Sequence, residues 1–109
     1  MANIYKNTKV DLVNTDNTTL YTVPSNSRAI IKSLLVSEDA GSGTTITVTL
    51  VDADAAIFSL FKVKAVASNA TEQLLTEPLI LMENEILKVQ AADANELHVT
   101  ASILEINRD

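Results

Sequence analysis

The chain of 109 residues has no cysteine and no tryptophan, a single histidine, two glycines, two prolines and only four tyrosines and phenylalanines together. Each scarcity removes a class of function. Without cysteine there is no disulfide framework, no thiolate metal site and no cysteine nucleophile. One histidine cannot build a three-histidine zinc site or, without a visible partner, a nucleophilic triad. His98 stands in mid-strand among threonines, where an imidazole reads as a surface or interface group rather than a base. Tyr5, Tyr21, Phe58 and Phe61 are too few to line the stacking platforms of a sugar-binding groove. No apolar run approaches the roughly 20 residues that span a bilayer. Met1–Lys6 lacks the basic and apolar regions of a signal peptide. The expectation is a soluble chain made in the cytoplasm.

Positive charge is scarce as well. Eight Lys and Arg against fourteen Asp and Glu give a net charge of -6, and an acidic chain repels phosphate backbones. The densest basic spots, Lys62 with Lys64 and Lys6 with Lys9, read as charges protecting strand edges rather than as a nucleic-acid patch. The acids Asp52 and Asp54, Glu83 and Glu85, and Asp93 with Glu96 gather at turns. None of them follows the calcium-loop pattern with its obligatory glycine. Both glycines fall in Gly41-Ser42-Gly43, between two strand-like segments, which is the wrong context for a phosphate cradle. No cofactor, metal, small-molecule substrate, nucleic acid or membrane is implied, and the chain is read as non-enzymatic.

What the sequence does contain is alternation. In Thr44–Val51, Ile46, Val48 and Leu50 fall on one face and Thr45, Thr47 and Thr49 on the other, the period of a strand wet on one side. Thr19–Val23 is strand-like and stopped by Pro24. Ile86–Ala91 and Leu97–Ile106 read as a terminal hairpin turning at Ala92–Asn95, with Leu97, Val99, Ala101 and Ile103 on one side and His98, Thr100 and Ser102 on the other. Turn-formers recur every ten residues or so. The pattern predicts one all-β domain, an antiparallel, jelly-roll-like sandwich of about eight strands. Ala53–Ala67 fits a strand or an amphipathic helix, and the β context favours the strand.

Two segments suggest contacts with other proteins. Ala29–Ser37 carries Ile31 and Leu35 on one face and Ile30, Leu34 and Val36 on the other. With Phe58 and Leu60, Leu34 and Val36 are the apolar residues expected to face a partner; the alternative is that both faces are buried within the sandwich. Met1–Thr8 reads as an N-terminal arm ahead of a domain at 9–109, with Ile4 and Tyr5 as an anchor suited to strand addition or, equally, as a disordered tail. A domain this small also has reason to oligomerise.

The succession Leu20–Pro24, Ser27–Ser33, then Leu79–Leu81, an acidic turn, Ile86–Ala91, Leu97–Thr100 and Ile103–Ile106 resembles small virion proteins of tailed bacteriophages, from about Thr18 onward. Where those relatives tend to carry Gly-Asp before the penultimate strand, this chain has Glu83-Asn84-Glu85. Asparagine tolerates the same turn. The resemblance implies a β-sandwich, often a homotrimer. It implies a capsid decoration (cement) protein on the outer surface of the virion, bound to the major capsid protein. A tail or fibre component, or a soluble binding domain outside the particle, are the rival readings.

Overall fold

The computed structural model describes residues 2–108. It contains nine strands and, among the described residues, no helix: β1 Ala2–Leu12, β2 Thr18–Thr22, β3 Ser27–Glu38, β4 Thr44–Val51, β5 Ile57–Val66, β6 Thr71–Gln73, β7 Leu79–Leu81, β8 Ile86–Ala91 and β9 Leu97–Asn107. One sheet runs β1-β9-β3, with β6 and β7 sharing the far side of β3, and the other runs β2-β8-β4-β5. Every pairing is antiparallel. Because β6 and β7 occupy one lane, each sheet is four strands wide, and apart from the β4–β5 hairpin the chain passes from sheet to sheet between lanes, as in a jelly roll.

The lane is broken for a local reason. Pro78 stands at the head of β7 and has no N–H to give a ladder. Opposite it, β3 is bulged at Lys32, where its register with β9 jumps between Ile31 and Ser33. The Gln73 side chain covers the gap, its Oε1 accepting the backbone N–H groups of Leu34 at 2.8 Å and Leu75 at 3.2 Å.

The core lies between the two sheets. Leu97, Val99, Ala101 and Ile103 of β9, Ala29, Ile31, Leu34 and Val36 of β3, Ile46 and Val48 of β4, and Leu87, Val89 and Ala91 of β8 are all buried. The alternation in β4 and β9 therefore points inward as the sequence predicts. Ala53–Ala67 supplies a strand, β5, in keeping with its β context. Its pairing with β4 slips twice, and Val63 adopts a φ of 52°, costly for a β-branched residue.

Three expectations need correction. Leu34 and Val36 are core residues with no exposure. The extra residue at the Lys32 bulge reverses the parity of β3, so its inward set passes from Ala29 and Ile31 to Leu34 and Val36. The segment 2–8 is not a separate arm but most of β1, paired residue for residue with β9 from Ala2↔Asn107 to Leu12↔Leu97; Met1 lies outside the described residues. The turn at Ala92–Asn95 does not close a hairpin, since β8 and β9 belong to different sheets. Asn26, Asn69, Asn84 and Asn95 hold left-handed φ angles of 58–66° in their turns, and Asn84 supports the turn as expected.

Glu38, the inward-pointing last residue of β3, is buried and ties two loops together. Its carboxylate accepts the N–H groups of Gly41 at 3.0 Å, Ser42 at 3.4 Å and Asn69 at 3.0 Å. The bond from Asn69 is the main reason its pKa falls from 4.5 to about 2, against the opposing effect of burial. A depressed carboxyl stabilises the fold above its unfolded pKa, and that contribution disappears as the pH falls from 4.5 toward about 2.

Two outcomes follow for stability. Leu34→Ala should cost about 2–5 kcal/mol in a denaturant titration, as for other buried leucines, which would mark Leu34 as core rather than contact surface. Thermal melts should show Tm dropping across the pH window just given. Glu38→Gln should lower Tm at neutral pH and flatten that acid slope, leaving the part due to Glu105, whose carboxyl is also lowered.

Candidate docking face

In an antiparallel pair, residues directly opposite point to the same side of the sheet. On the outward side of the first sheet, Tyr5 of β1 lies opposite Leu104 of β9, Leu104 opposite Ile30 of β3, and Ile30 opposite Ile80 of β7. Four strands thus contribute one apolar side chain each to a single row, about 15 Å long at the usual strand spacing. Its two ends are open, Tyr5 being 75% and Ile80 62% exposed. The next row pairs Ile106 with Arg28. Beyond it, Ser27, Arg28, Met82, Glu83, Ile106 and Arg108 line an open cleft of about 540 Å³. Among the described residues, neither guanidinium has a carboxylate within ion-pair distance. Glu83 is engaged by the N–H of Asn26.

The other end of the same face is polar. Asp11, His98, Ser37 and Thr71 form a row there, and the hydroxyls of Ser37 and Thr71 meet at 3.0 Å. His98 does have partners that the sequence hides: Nε2 lies 3.3 Å from Asp11 and Nδ1 3.4 Å from Asp39. All three groups are well exposed. They form a surface charge cluster beside a shallow 220 Å³ depression lined by Lys9, Val10 and Thr100. Among the described residues, no three His, Asp or Glu side chains converge as a metal site would require.

Beneath the apolar row, a partly buried polar network fixes β1. Glu105 points inward and accepts the Tyr21 hydroxyl at 2.5 Å and the Lys6 amine at 3.2 Å. The same amine sits 5.6 Å from the centre of the Tyr21 ring. The Tyr21 bond is the largest cause of Glu105's lowered pKa, with Lys6 adding to it, whereas burial first of all pushes Tyr21 upward. Through this network β1, β2 and β9 are joined, and Tyr5 is held on the rim of the face.

Of the six residues expected at an interface, the structure brings only Tyr5 onto this row. Ile4 lies next to it on the inward side of β1 and is 39% exposed. Phe58, 52% exposed, is on the edge of the other sheet, and Leu60 packs partly against the core. The other residues of this face, Ile30, Leu104, Ile80, Ile106 and Met82, are not among the six. One signal was available: continued past Ser102, the polar side of β9 turns apolar at Leu104 and Ile106.

No protein-family model matches the chain, and no curated protein does. Among solved structures, the chain is similar to a Bacillus protein from endospore appendages described as disulfide-linked pili, with a TM-score of 0.59 and 10% identity over 98% of this chain and 89% of that one. It is also similar to a protein of infectious bursal disease virus, Gx strain, with a TM-score of 0.58 and 8% identity over 97% of this chain and 30% of that one. The disulfide linkage of those pili has no counterpart here, because the chain has no cysteine. What the likenesses establish is a shared all-β fold.

Proposed function

We propose that the chain is a non-enzymatic structural protein of a virion, specifically a capsid decoration protein that docks on the outer surface of the major capsid protein. The observation that carries this reading is the row Tyr5–Leu104–Ile30–Ile80. An apolar row that crosses four strands is more than the isolated exposed side chain that any surface tolerates. Arg28 and Arg108 at its end favour a partner with carboxylates beside an apolar patch. The rest of the chain is acidic, which suits a protein that works beside a genome without binding it. A virus particle and a pilus are the settings of the two similar folds, and both are assemblies built by repetition. A docking area on the order of 800 Å² per copy is a standard interface, and occupancy of many equivalent capsid sites turns a modest gain per copy into a large one for the shell.

Quantitative pelleting with expanded heads lacking the protein, from the phage that encodes it, tests the reading. Saturable binding at hundreds of copies per head, with a rise in the heat resistance of the heads, is the expected result. Ile80→Asp should weaken binding at least tenfold, about 1.4 kcal/mol, while leaving Tm nearly unchanged, since Ile80 is exposed. Absence of binding to heads would overturn the capsid assignment; binding to purified tails instead would place the protein there.

A further inference from the structure

A β-sheet edge is a row of unpaired N–H and C=O groups, and proteins that remain monomeric blunt it. Three of the four edges here are blunted. On β5 the register slips twice, Val63 is twisted to positive φ and Lys62 and Lys64 are exposed. β2 is five residues long and bulged between Thr19 and Tyr21. The lane of β6 and β7 is cut into two pieces of three residues.

β1 is different. It runs eleven residues without a slip. Among the described residues, the backbone of Ala2–Val10 bonds to β9 and to nothing else, and Ala2–Asn7 are exposed throughout. Lys6 points inward, which is a common way to spoil an edge, but its charge is engaged by Glu105 of its own chain.

We infer that β1 is a self-pairing edge, at which two copies of this chain join antiparallel about a two-fold axis through Asn7. The register selects the second copy as occupant. Asn7 is the midpoint of β1, so centring on it pairs all eleven residues. Ile4 then faces the second copy's Val10, Lys6 its Thr8, Tyr5 its Lys9 and Asn3 its Asp11. No like charges meet, and Tyr5 gains a cationic neighbour for its ring. Centring on Lys6 or on Lys9 would set lysine against lysine. A residue-centred register also keeps inward residues opposite inward ones, so the two cores lie on the same side and the first sheet continues through both copies. The apolar rows then share one face of the joined sheet, aimed at the same surface.

Such a contact is isologous and closes at two copies, which replaces the expected homotrimer with a dimer. It stands independently of capsid docking, because it is made by the backbone edge of β1 and needs no head to measure, although Tyr5 borders both. Sedimentation equilibrium of the full chain over a dilution series tests it. The expected result is a reversible dimer that Asn7→Lys weakens at least tenfold by placing lysines together at the axis, with an unchanged circular dichroism spectrum. Tyr5→Lys should weaken it likewise, and adding Lys9→Glu should restore it. A monomer at every concentration, a trimer, or a dimer indifferent to these variants would overturn the inference.

Discussion

The ladder between β3 and β9 is the constraint on which the rest depends. These strands are twelve and eleven residues long, and they meet from Ser27↔Asn107 to Glu38↔Leu97. Their inward side chains supply much of the core. Their outward side chains include the two middle members of the apolar row. Each strand also fixes a neighbour: β9 positions β1, and β3 positions the two pieces β6 and β7. A shift of β3 by one residue against β9 would turn the side chains of the shifted strand over, carrying Ile31 into water and Ile30 into the core. The bulge at Lys32 is tolerated because the Gln73 amide satisfies the backbone next to it.

Much of this was legible in the sequence. Alternation in β4 and β9 identified strands and their inward faces, and the turn residues marked where strands end. Period-two alternation, however, assumes an unbroken ladder. At Lys32 a single inserted residue defeats it, and Leu34 and Val36 were assigned to the surface for that reason. β1 was read as an arm because Lys6 and Thr8 occupy inward positions that would ordinarily be apolar. Only their distant partners, Glu105 and the carbonyl of Leu20, make those polar residues acceptable there. The turn between β8 and β9 has the chemistry of a hairpin, and nothing local distinguishes a turn within a sheet from one that crosses between sheets.

The apolar row of the candidate docking face was less legible for a topological reason. Its four members come from β1, β3, β7 and β9, and none is near another in sequence. Each is an ordinary apolar residue on an otherwise polar or mixed strand face, and only the pairing of the strands aligns them. The buried acids show the converse. Glu38 and Glu105 look like two of many surface carboxylates in an acidic chain, yet both are interior groups: Glu38 is satisfied by the adjoining loop at Gly41 and Ser42 and by the distant Asn69, and Glu105 by Lys6 and Tyr21 far away in sequence. Charge composition describes the exterior of this protein, whereas its interior also relies on two carboxylates that composition does not single out.

The pairing of β1 with β9 has a consequence in time. Of the nine strands, the one synthesised first is completed only by the one synthesised last, as Ala2↔Asn107 makes plain. Contacts so distant in sequence slow folding, because the closure of a long loop precedes any gain from the contact. Until β9 emerges, β1 and β3 have no strand between them and the inner faces of both sheets stay wet. The nascent chain therefore passes through a long interval with exposed strands before its two sheets can close over the core.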